Sequence, residues 1–418
     1  MAMIVKRGTL PATPHTEHYA IPGVLALEEI HGSYGFSGAW SRKLHVRSYP
    51  TEQVEPPTRA DFNFIPQVPA EAEILQPFLI QTGEMPFGRD ALRARTPIVF
   101  GPQTTLSIVK PTASFSPDTF FRNGERHEIY FVQEGEGVLT SEYGRLPFRR
   151  HVYIVVPKGT TYRIDLTTPR AFLLLTESVF PIEWPQHYMN PAGQATLVSP
   201  VVETEIEVPE LPPFIDRRGT YPIFVQHGGG RVTRLTLGHH PCDVAGWEGA
   251  LYPFVFDVKN HHGIAREIHT APPVHQTFQT GKVPYSGFSL CSFVPQMEGW
   301  HPKEVPAPYA HYNVDSDECM FFCNTSYGAR QGVISEGSFT FHPGGTPHSP
   351  QGHAAKRSLA ARGTMAARLA VMLDTYFESL QITTHGYQYR TPDYAVSWND
   401  ARWTETGRGD AAGESSGV

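Results

Sequence analysis

At 418 residues the chain is too long for one ordinary domain and long enough for two that each bury a sizeable core. Charged residues are 18%, below the roughly 25% of an average domain, while 38 prolines and 37 glycines interrupt the chain too often for a mostly helical fold. The net charge of −7, with no long basic run, argues against nucleic acid or anionic membrane as the main partner.

From the N-terminus, MAMIVKRGTLPATP has no apolar run before its first prolines. No later stretch approaches the roughly 18 apolar residues of a membrane span, so a cytoplasmic protein is expected. Short apolar, β-branched or aromatic runs then recur between Gly/Pro turns: 128–133, 152–156, 171–175, 232–237, 288–294, 318–322, 338–341 and 369–373. This spacing predicts an all-β chain of antiparallel sandwiches or barrels rather than βαβ units. The strongest helix candidate is 358–370. The Glu- and Pro-rich stretch 201–213 reads as a linker or edge segment. Beyond Gln388 the chain turns polar and is expected to be disordered. The four cysteines, Cys242, Cys291, Cys319 and Cys323, read as reduced thiols, with Cys319 and Cys323 as small core residues of a β-type run.

An internal repeat sets the architecture. Pro157-Lys-Gly-Thr-Thr-Tyr162 matches Pro343-Gly-Gly-Thr-Pro-His348 at an offset of 186, and the segment from Phe121 to Glu128 matches His311 to Glu318 at an offset of 190. The simplest account is a duplicated β-barrel or jelly-roll unit. The expected layout is an N-terminal arm (1–60) packing on the barrels, a degenerate first barrel (61–205), a second barrel with the metal site (206–385) and a polar tail (386–418).

The chain has 20 histidines, eleven of them between His239 and His353. Where the second repeat has His311 and His348, the first has Phe121 and Tyr162, and Glu128 alone survives as a possible ligand there. The second repeat keeps two imidazoles and the carboxylate of Glu318. Two neutral imidazoles and one carboxylate on one face, with open positions opposite, form the ligand set of non-haem Fe(II) oxygenases. A structural zinc site would instead close its shell with four ligands, often cysteines.

The segments Asp243-Val-Ala-Gly-Trp-Glu-Gly-Ala-Leu-Tyr-Pro253, Pro308-Tyr-Ala-His-Tyr-Asn-Val-Asp-Ser-Asp-Glu318, Gly337-Ser-Phe-Thr-Phe-His-Pro343 and Thr346-Pro-His-Ser-Pro350, with the runs from Pro272, Cys291 and Leu369, resemble the two-domain cupins. Within that superfamily they resemble the homogentisate 1,2-dioxygenase family. They cover roughly residues 230–380, and the first half is looser. The resemblance implies a bicupin whose C-terminal barrel binds Fe(II) through His311, Glu318 and His348. It also implies ring opening of homogentisate by O2 to maleylacetoacetate, in phenylalanine and tyrosine catabolism, by a homo-oligomer. His342 would match a histidine that contacts substrate or oxygen. Tyr327 and Arg330 would match residues that receive the substrate carboxylate, a task that suits the planar fork of Arg. The base that takes the phenol proton would be His269, with His275 as its rival. The pairs His239-His240 and His261-His262 read as loop or surface residues. Two other readings stay open: a ring-cleaving dioxygenase for another hydroquinone such as gentisate, and a non-catalytic bicupin that binds a small molecule.

Overall fold

The computed structural model describes residues 3–47, 51–72, 74–267, 272–283, 285–297, 299–326, 333–350 and 354–398. Strand alternation decides which face each side chain takes. In the strand His127–Glu134, the residues Glu128, Tyr130 and Val132 point to one side, Ile129 and Phe131 to the other, and all five are buried. Burial on both faces is what turns such strands into near-continuous apolar runs. Val152–Val156 and Phe172–Ser178 flank this strand in an eight-stranded sheet that also takes Thr104–Val109 and Arg95–Phe100. Its inner face closes a first barrel against a seven-stranded sheet containing Phe120–Asn123 and Thr161–Leu166.

The outer face packs back to back on a second seven-stranded sheet, formed by Gln276–Thr280, Phe288–Phe293, Ala370–Thr375, Glu318–Phe322 and Phe339–His342 with short strands at either edge. Phe131 and Phe172 each meet the ring of Phe321, at 6.4 and 5.6 Å between centroids. Tyr153 and Ser292 share a buried hydroxyl–hydroxyl hydrogen bond of 2.8 Å. Cys319 and Cys323 sit in this shared core, and all four cysteines are free thiols.

The two barrels exchange strands. Phe78–Ile80, which precedes the first barrel in sequence, pairs with Phe339–His342 of the second. Gln381–Ile382, which follows the second barrel, pairs with Arg95–Phe100 of the first. Part of the stretch placed with the second barrel by sequence (206–385) also pairs into first-barrel sheets: Arg218–His227 runs parallel to Phe120–Asn123, and Phe254–Asp257 antiparallel to Val152–Val156. The unit 61–205 alone would leave both of those strand edges open, and an open edge needs cover. The N-terminal arm adds Val5–Gly8, Leu27–Gly32 and Trp40–His45 to a four-stranded sheet with Val244–Gly249.

Three local expectations are corrected. The helix expected over 358–370 lies earlier and is shorter: Ala354–Ser358 is α-helical, a single 3-10 turn Leu359–Ala361 follows, and the chain leaves through Gly363 at φ +67. Of the polar tail expected from 386, residues 386–398 are folded. Tyr394 is buried, and Trp398 donates to the Ser349 carbonyl at 2.9 Å, so two aromatic residues anchor a polar stretch. Residues 399–418 lie outside the described residues. His239, His240 and His261 are buried and His262 alone of the four is exposed: His239 ends a strand, His240 follows it, and His261 closes the 3-10 turn Val258–Asn260. Burial pushes the His261 imidazole down to about 3, so it is neutral, and it bonds the Thr277 hydroxyl at 3.1 Å. No helix among the described residues is long and apolar enough to cross a membrane.

Candidate metal centre

Glu318 is the first residue of its strand, and the ladder sets it opposite His342 on one side and Asp374 on the other. His311 and His348 face each other across an isolated antiparallel bridge. The amide of each donates to the carbonyl of the other at 2.9 Å. The loop carrying His348 is fixed by Asp317, whose carboxylate accepts from the amides of Gly344 and Leu380, both at 2.6 Å. Within that loop Gly345 takes φ +76 and the Thr346 amide donates to the Pro343 carbonyl. These features turn His348 inward.

One ligand atom each from His311, Glu318 and His348 lies within 4.8 Å of the others. His311 Nε2 is 3.6 Å and His348 Nε2 3.3 Å from Glu318 Oε2. Two atoms each about 2.1 Å from one ion stand roughly 3.0–3.4 Å apart, so this spacing suits ligands that share a cation. The tautomers fit as well. His311 Nδ1 donates to the Tyr309 carbonyl at 3.0 Å and His348 Nδ1 to the Thr346 carbonyl at 3.2 Å, which leaves Nε2 of each ring as the nitrogen that faces the carboxylate. Burial alone would push the Glu318 carboxyl up. Hydrogen bonding to His311, His342 and His348 outweighs it and holds the group well below the usual carboxylate range. The side chain of His311 is 35% exposed and that of His348 5%, so the cluster opens to solvent on the His311 side.

His342 lies beside the cluster. Its Nδ1 donates to Glu318 Oε1 at 2.8 Å, its ring stacks on His348 with 4.1 Å between centroids, and its Nε2 is 3.4 Å from the Tyr394 hydroxyl. In this structure it therefore orients the carboxylate. His275 is buried and packs against Phe293, the rings tilted by 35° with 4.4 Å between centroids. Phe293 shares its row with Ala370 and Phe322, four residues along the strand from Glu318. That is about 13 Å along the strand at ~3.3 Å per residue, so the ring on which His275 packs lies four rows from the Glu318 carboxylate. His269, Tyr327 and Arg330 lie outside the described residues.

Two neighbours escaped the sequence reading. Asp374 is the penultimate residue of an apolar strand, where one acidic residue carries no motif. Burial, and then the Glu318 carboxylate, push its carboxyl up to about 8. Tyr394 belongs to the stretch that composition marked as tail.

The first barrel repeats the ladder with different chemistry. Glu128 pairs with Val156 and Glu177, and Phe121 with Tyr162. Arg95, fully buried, places its guanidinium 2.7 Å from Glu128 Oε1 and from the Tyr130 hydroxyl, and 3.0 Å from that of Tyr162. It also lies over the ring of Phe121 at 4.4 Å. A guanidinium thus stands beside the carboxylate that matches Glu318.

Residues 103–258 match the family described as homogentisate 1,2-dioxygenase N-terminal. A protein of Saccharolobus solfataricus described as a candidate dioxygenase is 30% identical over 404 residues, covering 95% of this chain and 99% of its own length. The chain belongs to the homogentisate 1,2-dioxygenase family. The homogentisate 1,2-dioxygenase of Bradyrhizobium diazoefficiens is 25% identical over 297 residues, 67% of this chain and 63% of that protein. A cupin 2 conserved barrel domain protein from Leptotrichia buccalis is similar in structure at 8% identity and a TM-score of 0.31, over 73% of this chain and 100% of that one. The segment matched by the homogentisate 1,2-dioxygenase N-terminal family ends just past Phe254–Asp257, so it includes the strands that complete the first barrel.

Proposed function

We propose that the chain is an Fe(II)-dependent, ring-cleaving dioxygenase for a hydroquinone, with homogentisate as substrate and maleylacetoacetate as product. The observation that carries the reading is the convergence of His311 Nε2, Glu318 Oε2 and His348 Nε2, with the other nitrogen of each imidazole tied to a backbone carbonyl. A ferrous ion held by these atoms would supply Lewis acidity and electrons toward a phenol and O2.

The chain's own groups prepare that chemistry. Glu318 is kept ionised by the surrounding imidazoles and contributes one negative charge, so the centre stays net positive toward an anionic substrate. His342 Nδ1 holds Glu318 Oε1 and frees Oε2 for the ion. His342 Nε2 faces Tyr394, which leaves the phenol proton to His269, the rival His275 packing on a ring about 13 Å along the strand from Glu318. The neutral imidazole suits that transfer near neutral pH. By the same reading Tyr327 and Arg330 would receive the substrate carboxylate, and assembly as a homo-oligomer belongs to it.

The relative from Saccharolobus solfataricus is described as a dioxygenase with no substrate named, which keeps gentisate and other hydroquinones as the second reading. The test is O2 uptake by the anaerobically Fe(II)-loaded protein on homogentisate, gentisate and plain hydroquinone, with product identification. One O2 consumed per homogentisate, with maleylacetoacetate formed, is the expected result. Full metal and full uptake in His311→Ala or His348→Ala would sink the proposal.

A further inference from the structure

The ladder registers let the two barrels be compared position by position. Glu128 pairs with Val156 and Glu177 as Glu318 pairs with His342 and Asp374, and Phe121 faces Tyr162 as His311 faces His348. Two residues further along the same face, Tyr130 pairs with Ile154 and Leu175, while Met320 pairs with Thr340 and Met372. Tyr130 and Met320 therefore occupy the same place, one step inward from the carboxylate.

What Tyr130 does there is specific. Its hydroxyl is 3.2 Å from Glu128 Oε1, 2.8 Å from the Tyr162 hydroxyl and 2.7 Å from the Arg95 guanidinium. The first barrel thus holds a phenol of its own against a carboxylate, a cation and the residue that matches His348. The second barrel keeps the carboxylate and the imidazole, but at the register position of the phenol it carries a thioether. Thr340, which replaces Ile154 beside it, is fully buried, and among the described residues its hydroxyl has no hydrogen-bond partner. A buried hydroxyl without a partner costs free energy unless a ligand supplies one.

We propose that the aromatic ring of the substrate takes in the second barrel the place that the Tyr130 side chain fills in the first, with Met320 as the specificity-determining residue beneath it and the Thr340 hydroxyl as a polar contact. The inference rests on the phenolic substrate proposed above and adds its position and orientation. The phenol oxygen points at Glu318 and His348, and the ring extends toward Met320 and Met372. Methionine suits a wall against which an aromatic ring must enter and leave, because its unbranched thioether adapts its shape and contacts rings favourably.

The test uses full-length Met320→Tyr, Met320→Leu and Thr340→Val, each loaded with Fe(II) without oxygen. Met320→Tyr should keep its iron, show no measurable binding of homogentisate or hydroquinone in anaerobic titration, and on oxidation of the iron develop a visible tyrosinate-to-metal charge-transfer band. Met320→Leu, of similar volume, should bind substrate within about threefold of the parent and show no band. Thr340→Val should weaken substrate binding about fivefold with iron content unchanged. Parental substrate affinity in Met320→Tyr overturns the inference. So does loss of iron from that variant, because the ring would then displace a ligand rather than stand where the substrate does. If the parent itself binds no hydroquinone, the functional reading fails, and the charge-transfer band still decides whether a phenol at 320 reaches the metal.

Discussion

Among the imidazoles around Glu318, His342 makes the shortest contact, 2.8 Å to Oε1, yet it is placed to hold the carboxylate rather than the ion. His342→Phe keeps a ring in that space and removes the hydrogen bond. It should weaken metal binding roughly 10- to 100-fold, the usual cost of losing an outer partner of a ligand, with the melting temperature of the metal-free protein little changed; chelator competition and thermal melts give the two readouts. A second buried imidazole works for stability instead. His45 Nδ1 lies 2.7 Å from Asp243 and its Nε2 3.0 Å from Glu29. Burial would lower its pKa, but the bonds to Asp243 and Glu29 win and raise it to about 9. An unfolded histidine titrates near 6.5, so folding takes up a proton. The resulting stabilisation is complete below about pH 6.5, fades as pH rises and is gone above about pH 9. The difference corresponds to roughly 3 kcal/mol. Melting temperatures of the parent and His45→Gln should therefore differ more at pH 6 than at pH 9.5, and an equal gap at both would exclude this role.

At the scale of elements, one turn is built twice. Gly159 at φ +85 and Gly345 at φ +76 hold the same place, and the amides of Thr160 and Thr346 close the turn on the Pro157 and Pro343 carbonyls, both at 3.2 Å. This turn was legible in the sequence because Pro, Gly and Thr recur at fixed offsets, and the central strands were legible because apolar runs bounded by breakers leave few alternatives. Arg95 was not. It lies 33 residues before Glu128 in no motif, and only the closed barrel brings the two together. Nor were the strands Phe78–Ile80 and Gln381–Ile382, which are too short to show a period, or Tyr394, whose polar neighbours masked its burial. Arg95 also carries a prediction at this scale. Arg95→Met leaves Glu128 buried without its counter-charge and should cost about 3–5 kcal/mol in urea unfolding, while the metal bound per chain stays the same. A near-neutral effect would mean that the tyrosines alone satisfy Glu128.

For the whole molecule, the exchanged strands make each barrel incomplete without residues that sequence order assigns to the other. Residues 206–385 expressed alone lose Phe78–Ile80 from the edge beside Phe339–His342 and the first-barrel sheets on which Arg218–His227 and Phe254–Asp257 pair. That fragment should be insoluble or unfolded by circular dichroism, whereas the full chain should melt in a single transition. A soluble, cooperatively folding fragment would refute this. The same back-to-back union gives Arg95 a wider meaning. One barrel carries its cation as a covalent part of the chain, and under the proposed function the other takes its cation from solution. On that reading, loss of the ion would empty one half of the molecule only and leave the other folded on its own fixed charge.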